Sequence, residues 1–216
     1  MKKSIILFAL LFILKGNSYA LIKVDITRGN LNPLPIAVSA LSEDKVTSKQ
    51  LEKQLNINNL GKEISKVIEN NLKNSGLFNP LDSKAFLQKA DVAHLKPRFE
   101  DWSLIKAQAL ITGKIIYENE KLRVEFRLWD VLAGKEILAL AFTTAPNNWR
   151  RIGHIITDKV YERLTGEKGY FDTRIIFVSE EGPKTARVKK LAIMDQDGFN
   201  TKYLTLGNEL VLTPRF

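Results

Sequence analysis

Chemistry needs particular side chains at particular spacings, and this sequence offers few of them. It holds no cysteine, which excludes thiolate nucleophiles, disulfides, Cys-ligated zinc and iron–sulfur clusters together. Its only histidines, His94 and His154, are far apart in sequence and leave little for metal or acid–base work. Asp195-x-Asp197-Gly198 suggests a calcium loop, but such a loop places glycine sixth and a carboxylate twelfth. Counted from Asp195, Gly198 is fourth and Leu206 is twelfth, so a β-hairpin turn accounts for these residues. Gly-Lys pairs at 61–62, 113–114 and 134–135 lack the flanking glycine and Ser/Thr of a phosphate-binding loop. Neither a Gly-x-Ser-x-Gly elbow nor a His-Glu-x-x-His pair occurs. Asp130, at the end of an amphipathic stretch, reads as a turn-facing carboxylate, and His154 as a packing or surface residue. No catalytic, cofactor-binding or metal-ligating residue is assigned, no cofactor is expected, and an enzyme is not expected.

Two other features bear on binding. Arg150 and Arg151 fall in the first turn of a helical stretch, where the macrodipole disfavours cations by ~0.3–1 kcal/mol each. They read as an anion or partner contact, or as two solvated arginines; the small dipole term favours the second. A binding module for a small anionic ligand is the alternative function that the first would support. Basic residues number 33 against 24 acidic, a formal +9. They interleave with acids, as in Lys121-Leu122-Arg123-Val124-Glu125, with no aromatic-basic stacking run, so no nucleic-acid partner is expected.

The first twenty residues stand apart from the fold. Lys2 and Lys3 precede an apolar run from Ser4 to Leu14, and Ser18-Tyr19-Ala20 supplies the small residues that a signal peptidase reads. The expectation is a leader over 1–20, cleaved between Ala20 and Leu21, too short to span a bilayer. The mature protein would then be periplasmic, without a transmembrane span.

The elements that must position any site follow from periodicity. Leu21 to Ile26 is a short β-prone stretch with apolar residues at 22, 24 and 26, and a Gly/Pro-bearing loop, Thr27 to Pro35, follows. Such a segment could add to a partner's sheet edge or form an edge strand of its own domain, and the sequence alone leaves both open. Ile36–Leu41 is β-prone, and residues 42–58 read as a polar surface connection with at most a helical turn. Leu60, Ile64, Val67, Ile68 and Leu72 mark one helix face, capped by Asn58 or Asn59 and closed at Gly76. Phe78-Asn79-Pro80 turns the chain away, and 83–106 holds two short helices broken at Pro97. A three-strand meander follows over Ala109–Tyr117, 121–128 and Glu136–Phe142. In its second strand Leu122, Val124, Phe126 and Leu128 face the core, and Arg127 faces solvent. A second helix runs from about Asn148 to Leu164 and closes at Gly166. Beyond Phe171 only strands and turns are expected.

Several of these segments resemble the TolB family of the Tol–Pal system, in order along the chain. They are Pro35-Ile36-Ala37-Val38, Ile64-x-x-Val67-Ile68-x-x-Asn71-Leu72-x-x-Ser75-Gly76-Leu77-Phe78, Phe99-x-x-Trp102, and Phe126-Arg127-Leu128-Trp129-Asp130-Val131. The most specific runs from Trp149-Arg150-Arg151 through His154, Asp158 and Tyr161-Glu162-x-Leu164-Thr165-Gly166-Glu167-x-Gly169-x-Phe171 to Ile175. The resemblance implies an α/β (α+β) N-terminal domain, anticodon-binding-like with helices on a mixed sheet, over 21–171. It implies the first part of a β-propeller, an incomplete blade, over 172–216. It also implies a protein–protein adaptor supporting outer-membrane invagination, cell division and envelope integrity. The mature N-terminal segment, here Leu21, Ile22, Lys23, Val24, Asp25 and Ile26, would bind the TolA C-terminal domain, and the propeller would bind the lipoprotein Pal. Residues 172–216 amount to about one blade where a ring needs at least ~4, so Pal binding by this chain is not expected to persist.

Overall fold

The computed structural model describes Ile22, Val24, residues 32–207 and Pro214. The expected leader, the cleavage point Ala20/Leu21, and Lys23, Asp25 and Ile26 lie outside the described residues. The elements run β1 (Leu34–Val38), β2 (Ser42–Glu43), α1 (Lys45–Leu55), α2 (Leu60–Asn74), β3 (Phe78–Pro80), α3 (Ala90–Ala93) and α4 (Phe99–Leu104). There follow β4 (Ala109–Glu118), β5 (Lys121–Asp130), β6 (Lys135–Thr144), α5 (Trp149–Thr165), β7 (Arg174–Glu181), β8 (Val188–Asp195) and β9 (Lys202–Tyr203).

Strands β1–β6 make one mixed sheet in the order β3-β1-β4-β5-β6, with β2 also pairing β4. The β1 pairs with β3 and β4 are parallel, while β4-β5-β6 is an antiparallel meander. This is the expected α+β class. Pleating sends Leu122, Val124, Phe126 and Leu128 to one face, all buried with Ile64, Ile68 and Leu72 of α2 and Ile152, Ile156 and Val160 of α5. The opposite face carries a second cluster around Trp102 with Ala37, Ala93, Leu110 and Val131. Gln88 fixes it, its Oε1 accepting from Trp102 Nε1 at 3.1 Å and from the Arg98 N–H at 2.9 Å. Strands β7, β8 and β9 form a separate antiparallel sheet of three.

Four local expectations are corrected. Residues 45–55 are a full helix: Asp44 caps it by accepting from the Val46 and Thr47 N–H groups, and Asn56 closes it with φ 55°. Its apolar stripe is narrow, with Thr47 and Leu51 buried, which is why its polar composition hid it. Phe78-Asn79-Pro80 does not merely turn away but pairs with β1 as β3. Pro35 lies inside β1 rather than before it. The first β1–β4 pair is Ile36 with Ala109, so the amide that Pro35 lacks falls before that ladder starts, while its carbonyl accepts from Gln108. Arg127 does not simply face solvent, since its Nη1 donates to the His94 carbonyl at 2.8 Å and its Nε pairs with Glu136.

Candidate functional site

Helix α5 organises both regions singled out in the sequence. At its C-terminal end, the Leu164 carbonyl accepts the Val24 N–H at 2.8 Å, and Val24 is buried at 8 % exposure in the main core. The Ile22 N–H donates to Asp130 Oδ2 at 3.1 Å, and Ile22 packs against the same core. The two described residues of the expected partner-binding segment therefore rest on their own domain. Asp130 is no idle turn carboxylate: it is 2 % exposed, and its Oδ1 also accepts from the Ala133 N–H at 2.8 Å.

Both arginines at the other end of α5 are engaged within the chain. Arg150 bonds Asp197 through Nη2 and stacks on Phe199, with 3.7 Å from its guanidinium carbon to the ring centroid. Arg151 grips Asp172 in a fork, Nε to Oδ1 and Nη2 to Oδ2 both at 3.0 Å. These contacts tie α5 to the second sheet, where Asp195 ends β8 and Gln196 and Asp197 follow in the β8–β9 turn.

His154 lies beneath them, one helical turn beyond Arg150. It is 2 % exposed, and its Nδ1 is 2.9 Å from Asn71 Nδ2 on α2. Asn71 in turn meets Thr157 Oγ1 and accepts from Gln196 Nε2 at 2.9 Å, so a buried polar chain crosses from α5 through α2 to the β8–β9 turn. Burial pushes the His154 pKa down, Asp197 pulls it up, and Arg150 pushes it down again; the net direction is downward. An open cleft of about 480 Å³ runs above this layer, lined by Asn148, Arg151, His154, Asp195, Asn200 and Lys202 among others.

The connection from α5 to β7 explains a motif that sequence reasoning could not interpret. Asp158 accepts from the Phe171 N–H through Oδ1 at 2.7 Å and from the Asp172 N–H through Oδ2 at 3.2 Å. That brings the backbone at Gly169 so close that a Cβ there would lie 2.4 Å from the Asp158 Cα. Phe171 is buried, with Tyr170 stacked on it at 4.4 Å and Tyr161 edge-on at 5.7 Å. Asp158 and Asp130 are positioning residues, and their only signal in the sequence was membership of the ordered motifs.

A mixed-sheet α+β domain, joined through its last helix to a separate three-stranded antiparallel sheet and carrying Ile22 and Val24 against its core, defines a two-part α+β class. Residues 22–137 match the TolB amino-terminal domain and residues 161–216 the TolB beta propeller domain. The chain is 75% identical over 210 residues to the Tol-Pal system protein TolB of Pelagibacter ubique (strain HTCC1062), a match covering 97% of this chain and 47% of that protein. It also superposes on a crystal structure of TolB from Acinetobacter baumannii with a TM-score of 0.69 at 22% identity, covering 90% of this chain and 44% of that one, a likeness of fold. The chain belongs to the TolB family. It spans about half the length of the curated relative it matches.

Proposed function

We propose that this chain works as a non-catalytic periplasmic adaptor of the Tol–Pal system, engaging the TolA C-terminal domain through residues 21–26. The 75% identity to a Tol-Pal system protein carries the reading. In it, residues 1–20 direct export and are removed between Ala20 and Leu21, 21–171 form the α+β domain, and 172–216 begin the propeller. Among the described residues no helix is long and apolar enough to cross a membrane, which is compatible with that location. Its role is to link TolA to Pal during outer-membrane invagination and cell division and to maintain envelope integrity.

Among the described residues of the partner segment, Ile22 donates to Asp130 and Val24 to the Leu164 carbonyl. Val24 fills a core position and uses one backbone hydrogen bond, so releasing it costs about 2–4 kcal/mol, from burial of one valine side chain plus that bond. A partner's sheet edge would supply equivalent main-chain bonds and apolar pockets. Calorimetric titration of the TolA C-terminal domain into the chain, with and without residues 21–26, tests this. Binding is expected to vanish on deletion, with a lower melting temperature but retained fold; binding unchanged by the deletion would refute the assignment.

A further inference from the structure

We propose that His154, Asp195 and Asp197 form a binding site for a divalent transition-metal ion of the zinc class. One ligand atom from each residue lies within 4.8 Å of the other two, and His154 Nε2 is 3.7 Å from Asp197 Oδ2. A tetrahedral zinc site with bonds of ~2.0–2.2 Å needs ligand atoms roughly 3.3–3.6 Å apart, so a shift of about 1 Å closes it. His154 Nε2 is buried and has no hydrogen-bond partner while facing the two carboxylates. A buried ring nitrogen left unbonded costs free energy that a metal bond would recover.

The surroundings favour this chemistry over other cations. An imidazole ligand selects zinc, nickel or cobalt rather than magnesium or calcium, which prefer all-oxygen shells. Both carboxylates are already oriented: Asp195 by Asn200 Nδ2, and Asp197 by the Phe199 N–H at 3.3 Å and by Arg150. Ligating carboxylates are ordinarily held by such outer bonds. The cleft above reaches His154 and Asp195 and leaves room for water as a fourth ligand.

Coordination through Nε2 puts the histidine proton on Nδ1, which then needs an acceptor. Asn71 supplies one if its amide turns to present Oδ1, and Gln196 then turns to present its own oxygen to the Asn71 nitrogen. The turned Asn71 gives up its bond to Thr157 Oγ1, whose hydroxyl keeps donating to the Gly153 carbonyl. Arg150 opposes the ion, as do Arg151, Arg174 and Lys202 around the cleft. Their positive charge weakens binding of a cation there.

The test titrates Zn2+, with Mg2+ as control, into the purified chain in a non-chelating buffer, and records the visible spectrum with Co2+ as probe. One equivalent of Zn2+ should bind, Mg2+ should not compete, and Co2+ should give the intense absorption of a tetrahedral site. Asp195→Asn, isosteric and at the end of β8, and His154→Gln should each weaken Zn2+ binding by about tenfold or more. If His154→Gln fails to fold, Asp195→Asn and the cobalt spectrum of the unaltered chain decide. No binding by the unaltered chain, a weak octahedral cobalt spectrum, or a loss under about tenfold in Asp195→Asn overturns the proposal.

Discussion

Replacing Asp130 by asparagine should strengthen partner binding while weakening the fold. Asp130 Oδ2 accepts from Ile22 N–H and Oδ1 from Ala133 N–H, both on a buried carboxylate. An asparagine retains one acceptor, and the Ala133 bond closes the local turn, so the amide NH2 is left against the Ile22 N–H. The loss is that of a hydrogen bond to a charged acceptor, about 1.5–3 kcal/mol. A partner that takes residues 21–26 binds only the released form, so its apparent affinity scales with the released fraction. Each 1.4 kcal/mol removed from docking raises that fraction about tenfold while the docked form dominates. Asp130→Asn should therefore bind the TolA C-terminal domain roughly 10- to 100-fold more tightly by calorimetry. Its unfolding free energy should fall by a comparable amount. A segment with a purely structural role predicts the reverse, weaker binding on a loosened scaffold. Unchanged or weaker affinity, with an unaltered circular dichroism spectrum, would refute the competition between docking and partner.

Two further outcomes test the fold itself. Phe126 is buried on β5 with Phe142 stacked on it at 6.2 Å, so Phe126→Ala should cost about 3–5 kcal/mol, whereas Arg127→Ala, losing one carbonyl bond and a half-exposed ion pair with Glu136, should cost about 1 kcal/mol. Equal urea midpoints would contradict the β5 register. Burial raises the Glu43 carboxyl pKa, and the Ser48 hydroxyl and the Gly61 N–H lower it only part of the way. The folded state then holds its proton to higher pH than the unfolded chain, so this residue's contribution favours the fold at low pH and is lost as pH rises through the raised folded pKa. Glu43→Gln should stabilise the protein at pH 7 and have no such benefit at pH 4; a destabilised variant at neutral pH would show that burial is not the dominant influence.

The parts of this fold that sequence reading recovered are those where apolar spacing was dense. Leu60, Ile64, Val67, Ile68 and Leu72 are all buried on α2, and Leu122, Val124, Phe126 and Leu128 are all buried on β5. Helix α1 was lost because it buries only Thr47 and Leu51, too few to show a period. Strand β3 was lost because three residues ending in proline look like a turn until a parallel neighbour is known. The candidate site was less legible still. His154 and Asp197 are separated by 43 positions, and only the close packing of α5 against the β8–β9 turn makes them neighbours. Arg150 and Arg151 read as solvated cations because the helix dipole was the only force visible from sequence. The acids that hold them, Asp197 and Asp172, belong to a different segment.

Helix α5 shows why these distant residues behave as one arrangement. Ile152, Ile156, Val160 and Leu164 are all fully or nearly fully buried, so the helix cannot slide along its axis without opening the main core. Its two attachments, Arg150 to the β8–β9 turn and Leu164 to Val24, are 14 residues apart, about 21 Å at 1.5 Å per residue. A rod fixed along its length holds both attachments in register with the sheet. The described residues of the preceding segment, Ile22 and Val24, attach to this rod and its sheet through one carbonyl, one carboxylate and their apolar side chains, and the proposed partner binding requires them to leave while the rod stays. On the proposed reading, exit of that segment must cost only a few kcal/mol, and the platform it leaves must not collapse.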